Sequence, residues 1–170
     1  MGSDNGFPFF VSSSLAMKVA SKKFLTLYLP LILWLLLISI ASTDEFSAAN
    51  TSRIIEPLVL WFFPNTTAAT LETIHFLTRK AAHLTEYFIL GLLSARAFIS
   101  SSNRILSRRW FAFALTLVAI YALADEYHQS FVPSRTSSIF DSLIDISGGL
   151  TALVIFSYCK HRLTATRQPG

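Results

Sequence analysis

Residues 79–91 read RKAAHLTEYFILG: two cations, Arg79 and Lys80, then an apolar run that carries His83, Glu86 and Tyr87. Apolar residues continue to Ile99, so residues 81–99 have the length of a membrane helix, for which a bilayer core needs roughly 17–25 mostly apolar residues. At about 100° per residue, Arg79, His83, Glu86 and Leu90 share one helix face, with Lys80 and Tyr87 at its flanks. An ionised side chain at the centre of lipid costs at least about 2.5–3.5 kcal/mol. Such a face must turn towards other polar groups or a wet pocket, so this stretch asks for partner helices.

Two further stretches supply them. YALADEYHQS at 121–130 places Tyr121, Asp125, His128 and Gln129 on one face, with Glu126 at its edge. SSIFDSLIDISGG at 137–149 places Ser138, Asp141, Asp145 and Gly148 on another. Between them FVPSR carries Pro133, a turn residue, and Arg135, which can fold back. Three more apolar runs of spanning length complete the set: Phe24–Ala41, Trp110 to about Tyr127, and Ile139 to about Tyr158. Pro30 within the first is tolerated in a membrane helix as a kink. The expected fold is an all-α integral membrane bundle of four transmembrane helices. A short interfacial helix, Ile54 to Phe63, precedes the second span, with Pro57 bending it and Trp61 at headgroup level. Residues 1–22 read as a mobile cytoplasmic tail, 23–160 as the membrane domain and 161–170 as a second cytoplasmic tail. The first run also follows Lys22 and Lys23 and ends in Ser39-Ile40-Ala41, as a signal peptide would; its 18 residues exceed a signal core and favour a retained helix.

Composition agrees. Hydrophobic residues make up 52% of the 170 and charged residues 14%, against about 25% charged in an ordinary soluble domain, and mean hydropathy is +0.51. A disordered chain is excluded. The basic balance, +4 with a pI near 9.5, is a topology signal and not a nucleic-acid footprint. Ten of the 14 Lys and Arg residues fall in the N-terminal tail, the loop after the second span and the C-terminal tail. Cytoplasmic loops are enriched in these residues, so both termini are expected in the cytoplasm of a plasma-membrane protein. Nine of the ten acidic residues then fall on the outer half. The single cysteine, Cys159, excludes an intrachain disulfide and a cysteine-rich zinc site. Asn50-Thr51-Ser52 and Asn65-Thr66-Thr67 fit the glycosylation pattern, which is common by chance.

This orientation brings the three polar stretches to one level. With a rise of about 1.5 Å per residue, Glu86 and Asp145 lie on the order of 9 Å below the outer surface. Arg79, Lys80 and Arg135 oppose Glu86, Asp125, Glu126, Asp141 and Asp145, which leaves two negative charges over. Protonation of two carboxylates, charging of His83 and His128, or a divalent cation would balance them. His83 with Glu86 has metal-ligand spacing but also suits a helix-surface hydrogen bond. Asp141 and Asp145 suit a cation clamp, and equally a structural network with Arg79 or Arg135. Gly91, Gly148, Gly149 and Ala152 suit close helix packing.

The three motifs, in this order and spacing, resemble the VanZ-like family of small integral membrane proteins over about residues 24–158, most specifically 79–152. The family's recurring positions correspond to Arg79, His83, Glu86, Tyr87, Asp125, Glu126, Gln129, Pro133, Arg135, Asp141, Asp145 and Gly148. Ser134 stands where many members have Gly, Ala152 where a later Gly is common, and DEFSAANTSRIIEP at 44–57 differs from many members. The family takes its name from a protein associated with resistance to the glycopeptide teicoplanin, and most members have no established reaction.

Three functions compete on these residues. In the first, an envelope protein binds, and in its enzymatic form processes, an anionic lipid-linked or cell-wall-related head group at the outer leaflet. Arg79, Lys80, Tyr87, Gln129 and Arg135 bind it; Glu86, Asp125, Glu126 and His83 supply acid–base chemistry; Asp141 and Asp145 hold a divalent metal for hydrolysis or group transfer. In the second, a non-catalytic binder or assembly partner uses the polar network to fix helix register. In the third, the carboxylates serve a proton-linked transporter; four spans without repeats argue against a monomeric one.

Overall fold

The computed structural model describes residues 8–43, 48–133 and 138–166. Helix α1 spans Pro8–Ala41, α2 Ala48–Phe62, α3 Ala68–Ile99, α4 Arg104–Arg108, α5 Trp110–Gln129 and α6 Ile139–Ala165. The described residues are helices and connecting turns, in keeping with the all-α expectation.

Three segments are long and apolar enough to cross a membrane: Ser21–Ala41, Trp110–Gln129 and Ile139–Thr164. The expected span at 81–99 is not among them. Its helix exists, but His83, Glu86, Tyr87 and Arg96 dilute its hydropathy, and α3 runs on to Ala68 through the polar stretch LETIHFLTRK. The bundle explains how such a helix is accommodated. Helix α3 packs most extensively on α6, then on α5 and α1, so its polar face is covered by protein. Large apolar side chains remain exposed on the outside, among them Leu33, Leu36 and Ile40 of α1, Ile120 of α5 and Val154 of α6.

Helix ends follow local chemistry. Thr67 caps α3 by accepting from the Thr70 N–H, Asn103 caps α4 through Ile105 and Leu106, and Ser138 caps α6 through Phe140. Each satisfies an N–H that the first helical turn leaves without a partner. Helix α1 begins at Pro8, inside the stretch expected to be a mobile tail; proline suits a first helical turn because its missing N–H is not needed there. Helix α2 covers the expected interfacial segment, contains Pro57, and leaves Ile54, Leu58, Trp61 and Phe62 exposed.

Pairwise contacts fix the helix directions. Lys80 meets Asp141 and Gly91 meets Gly149, so α3 and α6 run parallel. Glu126 meets Ser138 while Trp110 meets Phe156, so α5 runs antiparallel to α6. The Trp34 indole N–H donates to the Glu86 carbonyl at 2.9 Å, and Lys23 reaches Ser102 just beyond α3, so α1 runs antiparallel to α3. Leu31 and Ile38, with Tyr87, Leu90 and Ala97 and with Val118 and Ala122, form the main apolar core between α1, α3 and α5. A second cluster of Ala95, Trp110, Ala114 and Leu153 lies between α3, α5 and α6.

Candidate functional site

The helix directions bring the N-terminal half of α3 and the start of α6 together with the ends of α1 and α5. Most of the polar residues singled out by sequence meet there. His83, Asp125 and Asp145 are buried, and one ligand-type atom of each lies within 4.8 Å of the others. His83 Nδ1 stands 3.3 Å from Asp145 Oδ1. Asp145 is 0% exposed, and neither of its carboxylate oxygens has a hydrogen-bond partner among the described residues; His83 Nδ1 has none either. Asp125 is held differently. One of its oxygens accepts from the Ser42 hydroxyl and the other from Gln129 Nε2, the latter at 3.0 Å.

Glu126, one helix position along, turns to the start of α6. Its Oε2 accepts from the Ser138 N–H at 2.8 Å, which puts a carboxylate at the positive end of that helix. Its other oxygen is buried without a hydrogen-bond partner among the described residues. Glu126 is outside the group formed by His83, Asp125 and Asp145, as is Glu86, whose side chain is half-buried. Tyr87 is fully buried next to the same level, and its hydroxyl has no hydrogen-bond partner among the described residues.

Asp141 stands apart from the three clustered groups. It forms an ion pair with Lys80, whose Nζ also lies 5.2 Å from the centre of the Phe76 ring. This pair edges a cavity of about 480 Å³ that is lined also by Arg79, Phe140 and Ile144. Arg79 has no carboxylate partner among the described residues. A second cavity of about 310 Å³ lies behind Asp125, lined by Ser39, Tyr121, Ala124 and the exposed His128. Arg135, expected as a further anion-binding cation, lies outside the described residues, as do residues 134–137 together.

The contribution of α1 to the site was not foreseen from the sequence. Ser42 reaches Asp125, and Ser39 reaches the Tyr121 hydroxyl, which also donates to the Leu35 carbonyl. The signal was present: Ser39, Ser42 and Thr43 end an otherwise apolar run, and topology alone brings that end to the level of the acids. The bond of Glu126 to the Ser138 N–H was likewise not legible, because nothing in sequence tells which helix start a carboxylate will meet.

Chemically, the arrangement joins two unlike compartments. One is a buried group of an imidazole and two carboxylates, and the other an open, cation-edged cavity with aromatic walls. No curated protein and no solved structure matches the chain. The VanZ/LLP1 family description matches residues 25–160, which takes in α2 to α5 entire and most of the membrane-spanning parts of α1 and α6. The chain therefore belongs to the VanZ/LLP1 family, and it is a VanZ-like membrane protein.

Proposed function

We propose that this membrane protein binds the anionic head group of a lipid-linked molecule in the cavity edged by Arg79 and Lys80. The observation that carries this reading is Arg79: a half-buried guanidinium on a cavity of about 480 Å³, with no carboxylate partner among the described residues. The volume falls within the range of about 300–1,000 Å³ usual for small-molecule sites. Guanidinium groups pair with phosphate or carboxylate through two parallel hydrogen bonds. Phe76, Phe140 and Ile144 line the same cavity, which suits an amphiphile whose apolar part continues into lipid. In this reading α3 is the fourth membrane span, both termini are cytoplasmic, and the cavity opens near the outer leaflet of the plasma membrane. The clustering of Lys and Arg at the opposite ends of the helices supports that orientation.

The Lys80–Asp141 pair favours a second reading. A cation already neutralised by its neighbour fits a network that fixes the register of α3 on α6. Binding separates the two. Purified protein in detergent is titrated with short-chain phosphatidate and, in parallel, with the matching diacylglycerol. The head-group reading predicts that phosphatidate binds at least about tenfold more tightly, as one tenfold step corresponds to about 1.4 kcal/mol, and that Arg79→Gln removes the preference. Equal affinity for the two lipids contradicts it and leaves the network reading.

A further inference from the structure

We infer that His83, Asp125 and Asp145 form a binding site for one divalent transition-metal ion of the Zn²⁺ or Mn²⁺ class. The inference does not depend on what the Arg79 cavity holds.

Charge comes first. Asp125 and Asp145 are both buried, and the described Lys and Arg side chains form no ion pair with either. Two carboxylates removed from water need compensation, because an unpaired buried charge is costly. Asp141, the other acid of α6, already has Lys80. Two carboxylates thus flank His83; a protonated His83, 3.3 Å from Asp145, would offset one of these charges at most, whereas a divalent cation would cancel both.

Geometry comes second. Asp145 is fully enclosed; its Oδ2 has no hydrogen-bond partner among the described residues, and its Oδ1 faces His83 Nδ1 as an ion pair when the imidazole is protonated, without hydrogen-bond geometry. One ligand-type atom from each of His83, Asp125 and Asp145 lies within 4.8 Å of the other two, and buried polar atoms left without a hydrogen bond are uncommon unless a ligand or ion takes them up. The His83 Nδ1 to Asp145 Oδ1 separation is 3.3 Å. Two ligand atoms at about 2.1 Å from a tetrahedral metal ion stand about 3.4 Å apart.

The surroundings of Asp125 come third. Ser42 and Gln129 each donate to one of its oxygens. A carboxylate oxygen has a second lone pair, so these bonds leave Asp125 able to ligate while fixing its orientation. Metal-ligating carboxylates are commonly held by partners of this kind. One imidazole with two carboxylates mixes the ligand types favoured by zinc and by manganese, and lacks the all-oxygen set that suits Mg²⁺ or Ca²⁺.

The test uses the full chain, purified in detergent, stripped with chelator and dialysed against Zn²⁺ or Mn²⁺ without added lipid. We expect about one bound ion per chain. Asp145→Asn should lower affinity at least tenfold, and Gln129→Ala about 10- to 100-fold, the usual range for a partner that orients a ligand. Glu56→Gln, an exposed position of α2 outside both sites, should stay within about threefold of the parent. Helical signal and monodisperse elution establish that each variant is folded. If Asp145→Asn fails that criterion, His83→Gln takes its place with the same expected loss. A Co²⁺-loaded sample should show a visible absorption band that His83→Gln shifts or abolishes. Absence of a bound ion in the parent overturns the inference. So does binding that folded Asp145→Asn or His83→Gln leaves unchanged.

Discussion

Gly148 of α6 lies directly against Leu84 of α3: a Cβ placed on Gly148 would stand 2.4 Å from the Leu84 carbonyl oxygen. The obstacle is backbone and cannot rotate away. Gly91 is similarly placed, 2.7 Å from the Gly149 carbonyl oxygen by the same measure. This close crossing lets Lys80 and His83 reach Asp141 and Asp145 across the pair. Gly148→Ala and Gly91→Ala should each destabilise the protein by about 1–3 kcal/mol, the usual cost of overpacking. Thermal unfolding in detergent measures it. Replacing Ala152, whose Cβ is also near Gly91, by Gly should not rescue Gly91→Ala, because the Gly149 backbone remains in the way.

The Lys80–Asp141 ion pair gives a second test of that register. Lys80→Asp and Asp141→Lys each place like charges together and should lower the melting temperature. The double exchange should recover most of the loss, since residues in contact couple by about 0.5–3 kcal/mol. Losses that simply add would place the two side chains apart.

Glu126 should act on stability through a single bond. Its carboxylate accepts from the Ser138 N–H at the start of α6. Glu126→Gln keeps an acceptor there and should be tolerated, whereas Glu126→Leu should cost about 1–3 kcal/mol, the penalty for leaving a buried donor without a partner. Equal melting temperatures for the two variants would remove this role.

The orientation proposed from charge predicts a labelling pattern. With the exposed Cys159 replaced by Ser, single cysteines at Asn65 and Ser130 should react with a membrane-impermeant maleimide in intact cells, and one at Arg104 only after permeabilisation. All three positions are exposed in the fold. The reverse pattern would invert the topology and put the Arg79 cavity on the cytoplasmic side.

Much of this was legible in the sequence because lipid is a harsh selector. Phe24–Ala41 and 110–127 could be read from apolarity alone, and the acids of three stretches could be brought to one level by topology. Other features depended on geometry that no single helix carries. Asp141 and Asp145 are four apart and suggested a shared cation, yet the parallel packing of α3 and α6 gives the first to Lys80 and the second to His83. That division depends on the rotation of α3 against α6, which the glycine contacts set. The polar start of α3, Ala68 to Lys80, was missed because it has too little apolar surface for a span, although Thr67 and Thr70 carried the cap signal. Hydropathy likewise counts α3 out as a span for the same side chains that make it the centre of the site.

The most direct test of the inward-facing polar site is a double-mutant cycle on His83 and Asp145, measured as unfolding free energy in detergent with chelator present. His83→Gln, Asp145→Asn and the double variant are compared with the parent. Facing groups 3.3 Å apart should depart from additivity by about 0.5–3 kcal/mol. Strict additivity would mean that the two side chains do not meet, and would contradict the account.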